Sequence, residues 1–214
     1  MDQSLLDHAF RLRALASRTL GDCLSPQDRA NIFTESFRDG AGQIREVDRY
    51  LIANLGGRRH LPDGFSETPD ILAWRYTHGG TPWVAVGDRG PFASELAHSS
   101  IETWTEVELS CLHAMSHLDS RNKVLSPRAQ SAARWLMSEL QPDNATGRPW
   151  AAHVFLFLAC TQADVEAAMY ADTLIHNTLV AGSGKPEPLS AAILLDGAIW
   201  LERMNANSSN AIQQ

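Results

Sequence analysis

The chain has 214 residues, 44% of them apolar and 20% charged, with a formal net charge of −7. It is long enough to bury a real core, and the balance is that of a globular protein, neither disordered nor fibrous. An acidic chain without a Lys/Arg block argues against a nucleic-acid partner.

Read in chain order, most of the sequence predicts helices joined by short loops, so the expected fold class is mainly α. Ser4 to Leu20 puts Leu5, Ala9, Leu12 and Ala16 on one helical face. Ser25-Pro26-Gln27-Asp28 is a start signal for a second helix to about Arg38, and Ile44, Val47, Leu51 and Leu55 resume the pattern up to Gly56-Gly57. Residues 58–90 collect prolines and glycines. Within them 73–78 and 81–86 flank Gly79-Gly80, and their aromatic and β-branched residues predict a small β-hairpin insertion near 73–86, with Pro82 on an edge strand.

Helices return after Pro91. They are expected over Ser100–Leu118, from Ser126-Pro127 to Leu140, from Pro149-Trp150 to Leu158, from Thr161 or Asp164 to Val180, and from Leu189 to Met204. This reads as one helical domain over 1–204, with N-terminal helices (1–57), a loop and hairpin (58–90), and a core of helical hairpins (91–204) packed as a bundle or a partial α/α toroid. Residues 205–214 lack apolar periodicity and are expected to be a disordered tail.

Acidic residues near Met1, where a secretory signal would be basic, predict a cytoplasmic protein. The longest nearly apolar run, Trp150 to Cys160, is interrupted by His153 and is shorter than the roughly 20 residues of a membrane span, so no membrane partner is expected. Cys23, Cys111 and Cys160 are far apart and form no C-x-x-C pair; Cys111 and Cys160, among apolar neighbours, read as small buried hydrophobes.

Polar side chains on apolar helical faces are the more telling signal, because burying one without a partner costs about 1–3 kcal/mol. At about 100° per residue, Asp172 and His176 fall on the side of Val165, Ala168, Met169, Ile175 and Leu179. Asp196 shares a side with Leu189, Ala192, Ile193 and Trp200, and Glu108 falls among Trp104, Cys111, Leu112 and Met115. His153 lies in a helix that is apolar nearly all round. These five groups are expected to point inward, where they either satisfy one another or form a site.

On helix 100–118, Glu102, Glu106, Ser110, His113 and His117 form one stripe opposite the apolar side. His113-x-x-x-His117 has metal-ligand spacing, yet such a stripe is also what a solvated face looks like, and the water-facing reading is preferred over a polar cavity. Asp143, Asn144, Thr146 and Arg148 read as a turn, and Gly182-Ser-Gly-Lys185 lacks the spacing of a phosphate loop. Trp74 and Trp83 serve hairpin packing or, with His153, line a ligand cleft.

The hairpins over 91–204 resemble part of an α/α toroid of the terpenoid-cyclase or glycosidase kind, although the D-x-D-D motif of those cyclases is absent. The Asp172-x-x-x-His176 pair is similar to one element of haem-oxygenase-like non-haem iron oxidases, in which an acid and a histidine four apart help hold metal.

Two functions follow. In one, the chain is a metal-dependent or acid–base enzyme for a small molecule: His176, Asp172 and Asp196 are the catalytic candidates, and Glu108, Asp172 and His176 the candidate ligands of a divalent iron, manganese or zinc ion. Without metal, His176 oriented by Asp172 would relay a proton. In the other, the chain is a non-catalytic helical module binding a protein or ligand, and its inward polar groups fix helix register.

Overall fold

Local start and stop signals account for most helix ends. The computed structural model describes residues 3–21, 46–56, 67–80, 83, 87–119, 124–140 and 147–211. Among them are eight α-helices: α1 (Gln3–Leu20), α2 (Glu46–Leu55), α3 (Pro69–Thr77), α4 (Ile101–Asp119), α5 (Pro127–Glu139), α6 (Ala152–Gln162), α7 (Val165–Ala181) and α8 (Pro188–Ala211). The Ser126 side chain caps α5 by accepting the Ala129 N–H, with Pro127 in the first turn, and Asp164 caps α7 through Ala167. After α7 the chain turns sharply: Gly184 takes φ 96° and its N–H donates to Leu179 O at 2.7 Å. The helix expected to begin at Ser25 lies outside the described residues.

The expected β-hairpin is corrected, since no strand occurs among the described residues and 73–77 belong to α3. Pro69 and Asp70 in its first turn are a helix start, and Ile71, Ala73 and Trp74 bury themselves. Gly79-Gly80 is a helix stop instead of a hairpin turn: Gly79 has φ 86° and the Gly80 N–H donates to Arg75 O at 3.0 Å. Residues 81, 82 and 84–86 lie outside the described residues. The tail also differs from expectation. Helix α8 continues past Met204 to Ala211, and Asn205 is buried.

Helix α8 organises the packing. It lies along α1 over the most extensive seam, and also meets α6 and α2; α6 packs on α7, and α3 on α4. Leu5, Ala9, Leu12, Leu15 and Ala16 bury the inner face of α1, each leucine contributing about 1.5–3 kcal/mol. Arg13 on α1 holds both oxygens of Glu202 on α8. Helix α6 is buried on several sides, with Val154, Phe155, Leu156 and Leu158 all in the core. No helix of the described residues is long and apolar enough to cross a membrane.

Candidate functional site

The five groups expected to point inward fall in three places. Glu108 is buried, as expected, but is occupied. Its two oxygens accept the N–H groups of Phe92 and Ala93, each at 2.7 Å, and Oε1 also accepts the Trp104 indole N–H at 3.1 Å. Burial pushes its carboxyl pKa up, and these donors oppose that. Arg128 completes the clasp: it donates to Gly90 O and Pro91 O and stacks 4.1 Å from the Phe92 ring centroid. Glu108 thus ties the 90–93 segment to α4.

Asp172 and His176 are exposed, contrary to expectation. Asp172 pairs with Arg11 of α1 at 2.6 Å, in the open. The structure does not bring Glu108, Asp172 and His176 together. The angular pattern misled because α7 buries Ala167, Tyr170, Ala171, Leu174, Ile175 and Thr178, a stripe rotated from the expected one, leaving Val165 and Met169 in solvent.

The third place is a cluster. Asp196 is buried on α8, and its Oδ2 meets His113 Nε2 at 3.0 Å and His117 Nε2 at 2.6 Å. The His113/His117 stripe, read as water-facing, is in fact covered. Trp74 of α3 lies over both rings at 5.5 and 5.8 Å, and its indole N–H donates to Ser110 Oγ at 3.0 Å. His153 of α6 packs edge-on to His113 at 4.4 Å and touches Trp200 of α8 at 4.9 Å. Trp83 lies elsewhere, half-buried against Phe92. So Asp196, His153 and Trp74 are brought together, joined by His113 and His117, whose four-residue spacing was the signal for them.

The hydrogen bonds fix where the protons sit. The Ala151 N–H donates to His113 Nδ1 at 3.1 Å, so that nitrogen carries a lone pair and the His113 proton is on Nε2, facing Asp196. The Ser116 hydroxyl spends its hydrogen on His113 O at 2.7 Å; its oxygen therefore accepts from His153 Nε2 at 2.8 Å. The Trp200 indole N–H closes the chain on Ser116 O at 2.8 Å. Gly197 lets α8 approach, because a Cβ there would lie 3.1–3.3 Å from His153.

Burial lowers the His113 pKa, partly offset by Asp196, and lowers that of His153 further. Burial alone would raise Asp196, but the two imidazoles outweigh it and hold the carboxyl well below its usual range. The result is an ionised carboxylate between two imidazoles, in a nearly dry site. One atom each from His113, His117 and Asp196 lie within 4.8 Å of one another, and two imidazoles with a carboxylate are donors suited to zinc or iron. A cleft of about 190 Å³ lined by Glu106, Gly147, Arg148, Ala181 and Glu187 includes none of these groups.

No known family model, curated protein or solved structure matches this chain.

Proposed function

We propose that the chain handles a small molecule by acid–base chemistry centred on His117, Asp196 and His113. The observation that carries this is the convergence of both Nε2 atoms on one oxygen, Asp196 Oδ2. A buried carboxylate in that position orients the His117 ring for proton transfer, while His113 remains a neutral donor. His117 is the least covered member, its side chain 9% exposed against 0% for His113 and 4% for Asp196. The hairpins are read as a bundle or partial toroid with this centre between α4 and α8. The net charge of −7 favours a small-molecule partner over nucleic acid, and the location proposed is the cytoplasm.

Diethyl pyrocarbonate at pH 7, with peptide mapping by mass spectrometry, tests the reading. His117 is expected to be modified in the native protein while His113 and His153 are spared. The second reading, a non-catalytic helical module, is favoured by the closed hydrogen-bonded chain from Trp200 through Ser116 to His113, which would set helix register. Protection of all three histidines would favour that second reading and end the first.

A further inference from the structure

We infer that the backbone N–H of Ala151 fixes the His113 tautomer and so keeps His113, His117 and Asp196 a hydrogen-bonded set instead of a metal centre. The inference deepens the acid–base reading and rests on it. A metal takes a neutral imidazole through its bare nitrogen, while the other nitrogen keeps its hydrogen and donates it to a carbonyl or carboxylate. His113 is arranged the other way round. Its outer nitrogen, Nδ1, already accepts the Ala151 N–H, and the nitrogen facing the would-be metal, Nε2, holds the proton and gives it to Asp196. A divalent ion binding at Nε2 must displace that proton, either to water, leaving an imidazolate, or to Nδ1, where it would face the Ala151 N–H.

Two features hold the arrangement. Ala151 has φ 56° and ψ 9°, the left-handed region, which costs a non-glycine residue free energy, so the backbone that presents its N–H to His113 is held by its surroundings. Rotation of the His113 ring, which would exchange its nitrogens, is opposed by His153 at 4.4 Å, Trp150 at 5.4 Å and Trp74 at 5.5 Å. The separation of 2.6 Å between His117 Nε2 and Asp196 Oδ2 is likewise that of a charge-assisted hydrogen bond.

The test replaces Ala151 in the full chain by lactic acid, which keeps the methyl group and turns the amide into an ester, with Ala151→Gly as the control that keeps the N–H. Imidazole ¹⁵N shifts report the tautomer, and titration calorimetry with Zn²⁺ reports the metal. In the native chain and Ala151→Gly, His113 is expected to have a bare Nδ1 and a protonated Nε2. In the ester, Nδ1–H appears and Zn²⁺ binds at least tenfold more tightly. An ester with unchanged tautomer and Zn²⁺ affinity overturns the inference. So does a native chain in which Zn²⁺ is held through His113. Should the ester fail to fold, a ¹⁵N–¹⁵N coupling across the Ala151–His113 hydrogen bond in the native protein decides: its presence supports the lock and its absence refutes it. An inert His117 in the pyrocarbonate experiment, with the expected His113 tautomer, removes the acid–base function without touching the lock, so the two failures are told apart.

Discussion

Replacing Asp196 by asparagine and by leucine measures what the central carboxylate does for the fold. Its Oδ2 accepts from two imidazoles, at 3.0 and 2.6 Å, and the side chain is 4% exposed. Hydrogen bonds to a buried charge contribute about 1.5–3 kcal/mol each, against about 1 for neutral partners. Asparagine can place its amide oxygen where Oδ2 was and keep both acceptor roles, losing only the charge, so Asp196→Asn should cost about 2 kcal/mol. Leucine has no acceptor. It strands the Nε2–H of His113 beside that of His117, and removing one member of a buried charged set costs about 3–5 kcal/mol. Wholesale apolar replacement of such sets is often harmless, but here the imidazoles remain. Urea unfolding at pH 7.5, extrapolated linearly, gives both values. A leucine variant as stable as the asparagine one would refute the two-imidazole acceptor role of Asp196.

Acid should weaken the fold through His113 and His153. Their folded pKa values lie below the ordinary 6.5, so their contribution is complete above that pH and falls as pH drops toward the folded values. The loss is at most about 1.4 kcal/mol per pH unit for each histidine; urea midpoints at pH 7.5 and 5.5 should differ, and by less in His153→Gln. Gly197→Ala improves helix propensity by about 1 kcal/mol, but its Cβ meets a His153 ring pinned by Ser116 and Trp200. A net loss of about 1 kcal/mol is expected, and a higher melting temperature would show that the ring can yield. Glu108→Gln turns an amide N–H₂ toward the Phe92 or Ala93 N–H and should cost about 3 kcal/mol by urea unfolding. Asp172→Asn with His176→Gln removes an exposed pair contact and should change stability by less than about 1 kcal/mol.

Capping and periodicity made most of the fold legible. Ser126-Pro127, Asp164 and the Gly182–Gly184 turn fall where the sequence puts them because each is a local device whose physics needs only its neighbours. The hairpin failed because aromatic and β-branched residues indicate a buried surface but not a backbone conformation. Trp74 is buried by packing on His113 and His117 from a helix, and the Pro69–Asp70 start outweighs the β preference of the residues after it. The site was half legible for a related reason. Asp196 and His153 have apolar neighbours one turn away on their own helices (Ala192, Ile193 and Trp200; Leu156 and Phe157), so burial could be read from there. His113 and His117 share a stripe with Glu102 and Glu106, which remain exposed and half-buried, and that stripe splits along its length. Its Ser110-to-His117 part is roofed by Trp74, a residue 36 positions before Ser110, to which it donates a hydrogen bond. An element with one solvated half and one roofed half has no single polar face, and only the partner helix decides where the change falls. Asp172 and His176 mark the converse. Their apolar neighbours Val165 and Met169 are themselves in solvent, so sharing a side with hydrophobic residues implied burial only while those residues were assumed to be core.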